Sequence, residues 1–93
     1  MKIWKYPLGQ LNSVRDSAHK IVIAMKRGSR PLHVGMQDGT CFVWVEVDPD
    51  QPDINATFFS VGTGHGAVPE GCVYLGTVHD KEFVWHVYHN LTY

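Results

Sequence analysis

The segment Gly62-Thr63-Gly64-His65-Gly66 is the first stretch whose residue types and spacing suggest chemistry. Three alternating glycines let successive backbone N–H groups turn into one concavity, which suits an anion or a phosphate. Thr63 and His65 add side-chain donors at its rim. Pro69 and Gly71 follow and lead into another extended segment rather than a helix. The dinucleotide-binding turn and the P-loop both need a helix there, so both are excluded. The plain alternative is a strand-ending turn whose glycines serve backbone geometry alone. Arg27 and Arg30, with Lys26 around Gly28, form a short basic turn that could complete such a site from a neighbouring subunit. Its plain alternative is solvated surface charge.

Other constellations are weaker. The chain has six histidines, and His79, His86 and His89 cluster near its end, with His79 and His86 expected on one strand face and His89 on the other. A zinc site needs three or four converging ligands, usually with Cys or close His pairs, and no such spacing exists. No metal and no cofactor are expected. Cys72 lies near His65 and Glu70, a formal trio of nucleophile, base and acid. Yet a catalytic thiol needs a helix N-terminus or a cationic neighbour to lower its pKa, and neither is assured. No catalytic residue is assigned. Trp4, Trp44 and Trp85 are candidates for the core, but Trp44 beside His33, and Trp85 beside Gly76, would form an interface if their faces were uncovered. A second layer packed over those faces is the alternative.

Composition narrows the classes. Ninety-three residues make one domain, spanning 1–93, with no room for a second core. Aromatic residues at 12% favour half-buried pleated surfaces. Eight Lys+Arg against nine Asp+Glu leave a formal charge of -1. Duplex nucleic acid is not an expected partner, because its phosphates call for a clustered basic surface. No apolar run approaches the roughly 20 residues that span a bilayer. No apolar stretch follows Lys2 and Lys5, so neither a signal peptide nor a membrane partner is expected. Cys41 and Cys72 read as two reduced thiols, with one disulfide left open.

These residues must be positioned by strands. Turn signals recur at short spacing, as in all-β domains. Met1 to Pro7 alternates as a first strand. Leu11 to Lys20 is ambiguous, and one short helical turn capped by Asn12 or Ser13 is the expectation near residues 11–19. Ile21 to Met25 is a β-branched run. Leu32 to Gln37 and Thr40 to Asp48 flank Asp38-Gly39, the pair favoured in a two-residue type I′ hairpin. In that register Gln37 opposes Thr40, Met36 meets Cys41, Val34 meets Val43 and Leu32 meets Val45. The other face sets Gly35 opposite Phe42 and His33 opposite Trp44. Ala56 to Val61 is a further strand. A second hairpin around Asp80-Lys81 would set Gly76 opposite Trp85, so that the indole covers the glycine, with Val78 meeting Phe83 and Tyr74 meeting Val87. The fold class is all-β: a small antiparallel meander of six or seven strands forming a compact sandwich or a partly open barrel.

Two groups of segments resemble a known family. The first is Trp4 to Pro7, Pro31-Leu32-His33-Val34, Asp38-Gly39 and Trp44 to Pro49. The second is Gly62-Thr63-Gly64-His65 with Pro69, then Tyr74-Leu75-Gly76-Thr77-Val78 and Phe83-Val84-Trp85-His86-Val87-Tyr88. In order and spacing they are similar to an uncharacterised family of small proteins from bacteriophages and prophages. The resemblance carries no catalytic residues with it. It implies a setting, the cytoplasm of a bacterial host. The expected function is therefore a non-enzymatic phage accessory protein that binds and neutralises a host component, foremost a defence factor. The target would be a host protein or a small nucleotide signal held at Gly62–Gly66, and a homo-oligomer is compatible with either. A virion or morphogenesis component is the first alternative, and a small hydrolase acting on a nucleotide the second.

Overall fold

Alternating sequence becomes seven strands: β1 (Lys2–Gly9), β2 (His19–Lys26), β3 (Arg30–Gln37), β4 (Thr40–Val47), β5 (Asp53–Gly62), β6 (Val73–Asp80) and β7 (Phe83–His89). They come from a computed structural model that describes residues 1–11, 18–64 and 66–91. Two antiparallel sheets form, one ordered β1-β4-β3 and the other β2-β5-β7-β6. They pack face to face over a common apolar core, and neither closes on itself. The fold is an all-β sandwich, and the barrel alternative falls away. Among the described residues there is no helix. The helical turn expected near 11–19 falls largely on residues 12–17, outside the described ones, and His19 already belongs to β2.

The connectivity corrects the expected meander. Among the described residues only β3–β4 and β6–β7 are hairpins of adjacent strands, while β1 to β2, β2 to β3 and β4 to β5 each cross between sheets. The reason is burial. A meander in one flat sheet would leave one apolar row of each strand wet, whereas crossing between layers sets those rows against each other. On β4, Cys41, Val43, Val45 and Val47 are all fully buried, and across the core Ala56, Phe58, Trp85, Val87 and Met25 meet them.

The β3–β4 hairpin follows its expected register through four pairs from the turn and on to His33↔Trp44. Asp38 and Gly39 both take positive φ, 50° and 78°, as a type I′ turn requires. Gly39→Val should therefore cost about 1–3 kcal/mol, because a β-branched residue resists that region. Chemical denaturation reads this directly, and an unchanged midpoint would contradict the turn type. Beyond His33 the register slips. Pro31, not Leu32, faces Val45, and Leu32 becomes the extra residue of a β-bulge, 42% exposed. Proline has no N–H to give the ladder and is tolerated beside bulges. The bulge thus keeps Pro31 on the inner face and turns Leu32 outward.

The second hairpin also departs from expectation. Its loop is Lys81-Glu82, with Asp80 opposite Phe83 and Lys81 at a φ of 56°. Trp85 then pairs with Val78, Gly76 with Val87, and Tyr74 with Tyr88 after a bulge at Leu75. From Gly76 to the turn a slip of two residues leaves each side chain on its original face, so alternation alone could not separate the two registers there, and the bulge then turns Tyr74 to the outer face. Packing separates them. A Cβ on Gly76 would lie 2.8 Å from Val34 Cγ1. Gly76 therefore serves the close approach of β3 to β6 from the facing sheet, and Trp85 does not cover it.

Candidate functional site

The glycine loop grows out of the sheet rather than standing apart from it. Gly62 is the last residue of β5 and pairs with Trp85, and the Thr63 N–H donates to the Val84 carbonyl at 3.3 Å. Both N–H groups near the start of the expected cradle thus sit within or beside the ladder. Gly64 and Gly66 take positive φ, 79° and 67°. His65 lies outside the described residues. Gly62 and Thr63 line a small cleft of about 240 Å³ with Glu82, Phe83, Val84 and Trp85. The carboxylate of Glu82 is a poor neighbour for an anion.

Thr63 is tied to a residue that sequence reasoning did not nominate. Its Oγ1 lies 2.8 Å from His86 Nε2, and His86 Nδ1 lies 3.0 Å from Thr77 Oγ1, which in turn meets the Tyr74 hydroxyl. This hydrogen-bonded chain runs across β6 and β7 on the outer face and ends in the glycine loop. Thr77↔His86 is a direct cross-strand pair, so only the correct register could have exposed the relationship. Arg27 and Arg30 are not part of this region. They lie just beyond Lys26, which pairs with Asp53 at the opposite end of β5 from Gly62. Nine steps of a strand separate those ends, about 30 Å at the usual rise.

Arg30 belongs to a different surface. On the outer face of β1-β4-β3 it stands opposite Glu46, while His33 stands opposite Trp44, and Lys5 pairs with Trp44 from the other side. The His33 and Trp44 rings lie 5.6 Å apart and the Phe42 and Trp44 rings 6.5 Å. Gly35 explains how the rings settle. A Cβ there would stand 3.4 Å from both His33 and Trp44, so both rings lean over the one residue without a side chain. Lys5 reaches across the face, its ammonium 4.6 Å from the Phe42 ring centre and 2.9 Å from Gln37 Oε1. Such an ammonium is attracted by the ring face. Ile3, 62% exposed, and Leu32 extend the apolar surface. Three nominated residues, Arg30, His33 and Trp44, thus come together here. Trp85 does not join them. It is 4% exposed and lies in the core, because its strand alternation sends it inward opposite Val78.

Cys41 and Cys72 are both free thiols. Burial, and secondarily the Asp80 carboxylate, push the Cys41 thiol up to about 11, which keeps it protonated. The Cys72 N–H is bonded to the Pro69 carbonyl, and its expected companion His65 is not among the described residues. Among those residues no group of three or more His, Cys, Asp or Glu side chains is placed to hold a metal ion. His89 is buried against Phe58, and its Nδ1 accepts the Leu91 N–H at 3.2 Å.

Burial lowers the His89 pKa below the ordinary imidazole value. In the unfolded chain that residue takes up its proton near pH 6.5, whereas in the fold it stays neutral to lower pH. The unfolded state binds more protons in that window, so stability should fall as pH drops through 6.5, by at most about 1.4 kcal/mol per pH unit. Below the folded pKa this contribution levels off. His89→Phe should remove that part of the slope in denaturation curves taken across pH, and an identical slope in both proteins would contradict it.

Fold and surfaces together define a small β-sandwich domain with a half-exposed aromatic sheet face. The chain belongs to the family described as Domain of unknown function (DUF7352), whose family model matches residues 1–92. No curated protein and no solved structure matches it.

Proposed function

We propose that this protein is a non-enzymatic binding protein that docks a host protein on the outer face of its three-stranded sheet. Resemblance to small phage and prophage proteins supplies the setting, so the partner is a bacterial host component and foremost a defence factor. The observation that carries the reading is the cluster of Phe42, Trp44 and His33 over Gly35, bordered by Ile3, Leu32, Lys5 and Arg30. Tryptophan and arginine are the residues that most often anchor protein interfaces, and a rim of separated charges fixes orientation around such an anchor. The nucleotide version has less support. The cleft beside Gly62 and Thr63 is about 240 Å³ and carries Glu82, whereas small-molecule sites usually exceed about 300 Å³.

Trp44→Lys is the decisive variant. Trp44 is only half-buried and faces outward, so the fold should survive with little change in melting temperature. Affinity capture from a bacterial lysate, read by mass spectrometry, should return one host protein with the wild type and lose it with Trp44→Lys. A partner retained by the folded variant would remove this face from the interaction. Absence of any partner with wild-type protein would count against the reading as a whole.

A further inference from the structure

A regular edge strand offers a row of unpaired N–H and C=O groups and recruits another strand unless something blocks it. Among the described residues this sandwich has four edges: β1, β3, β2 and β6. Three of them are blocked. β1 contains Pro7 and breaks register at Leu8. β3 contains Pro31 and breaks register at Leu32, and β6 breaks register at Leu75. β3 and β6 also pack on each other across the layers. β2 has neither a proline nor a bulge, and its two lysines, Lys20 and Lys26, stand towards its ends. It pairs residue for residue with β5 from His19↔Ser60 to Lys26↔Asp53. Among the described residues no strand pairs with its other side.

We propose that β2 is where two copies of this chain associate, pairing antiparallel about a two-fold axis at Val22 and joining two four-stranded sheets into one. The composition of β2 argues for a second copy as occupant. Continuous sheets must set inner residues against inner and outer against outer, because strand side chains alternate with a period of two. Full overlap of β2 with itself breaks that rule, setting outer Lys20 against inner Met25. Centring the axis on Ile23 keeps the faces but opposes Lys20 to Lys26, and like charges directly opposite repel. Centring it on Val22 keeps both the faces and the charges apart. Val22 then meets its own copy, Ile21 meets Ile23, and Lys20 meets Ala24. This register also covers Val22, which is 52% exposed in the single chain. Of the two face-matched registers that overlap over seven residues, only the one centred on Val22 is self-complementary, and an isologous two-fold contact requires such a register. The Trp44 face lies on the other sheet and stays open.

Light scattering coupled to size-exclusion chromatography should return twice the chain mass of 10.5 kDa. Val22→Lys places two ammonium groups against each other on the axis while leaving the exposed position of the single chain comfortable. It should weaken association at least tenfold with the circular dichroism and melting profile unchanged. In a Cys72→Ser background, Val22→Cys should cross-link into a dimer on mild oxidation, because directly opposed residues have Cα atoms about 4.5–5.5 Å apart, within disulfide reach. Asn55→Cys, on the neighbouring strand β5, should not. A wild-type monomer up to millimolar concentration would overturn the proposal. So would a dimer that Val22→Lys leaves intact, or cross-linking at Asn55 in place of Val22. None of these outcomes bears on capture through Trp44, so the two proposals fail separately.

Discussion

Trp85→Ala is expected to destabilise the fold by about 3–5 kcal/mol, the usual result of emptying a buried aromatic site. Trp85 is 4% exposed, stands opposite both Val78 and Gly62, and stacks on Phe83 at 5.8 Å. It also walls the small cleft beside Thr63 and a larger one of about 450 Å³ near Leu11 and Asp80. Removing the indole would merge space from both sides, and the strand backbone around it cannot collapse to fill the gap. One term works the other way. The indole Nε1–H is buried with no hydrogen-bond partner among the described residues, and an unmet buried donor costs about 1–3 kcal/mol. Trp85→Phe keeps much of the ring and drops that donor, so its cost should be far smaller. Total stability for a domain is about 5–15 kcal/mol, so the alanine variant should sit near the edge of folding at room temperature. Urea midpoints for the two variants test this, and a wild-type midpoint for Trp85→Ala would return the residue to the surface.

Gly76→Val should be the second severe substitution. Even alanine would bring a Cβ to 2.8 Å from Val34 Cγ1, and overpacking of a tight core costs about 1–3 kcal/mol. Valine should reach or pass the top of that range. The neighbour cannot yield cheaply, since Val34 is buried and a valine side chain is stiff at χ1. The strain should fall on the contact between β3 and β6, the place where the two sheets close. A double-mutant cycle separates this account from a generic strand defect. Val34→Ala frees the space that the Gly76→Ala methyl needs, so the pair should be more stable than the summed single changes by about 0.5–3 kcal/mol. Strict additivity would show that the two residues do not meet.

The legible parts of this molecule are those set by local chemistry. Asp38-Gly39 specifies its turn because both central residues must take positive φ, and the register then follows by counting as far as His33. Counting stopped at Leu32, since a bulge adds one residue without altering local hydrophobicity. It also failed in the second hairpin, where loops at Asp80-Lys81 and Lys81-Glu82 give the same inward and outward sets. The candidate site divides in the same way. His33 and Trp44 were visible as a cross-strand pair, and they do share a face. His86 was not visible as a partner of Thr63, because that contact depends on β5 lying beside β7, a long-range pairing that no local turn signal announces.

By itself the sequence determined that this chain is all-β, where its tight turn falls, and which residues of β4 face inward, because turn conformation and strand alternation are decided within a few residues. Tertiary structure alone decided that the strands divide into sheets of three and four, that Trp85 is core while Trp44 is surface, and that Arg30 joins the aromatic face instead of the glycine loop. Each of those outcomes depends on which strand lies across from which. That choice is made by the burial of whole apolar faces against each other, through contacts such as Gly76 against Val34 that join residues far apart in the chain.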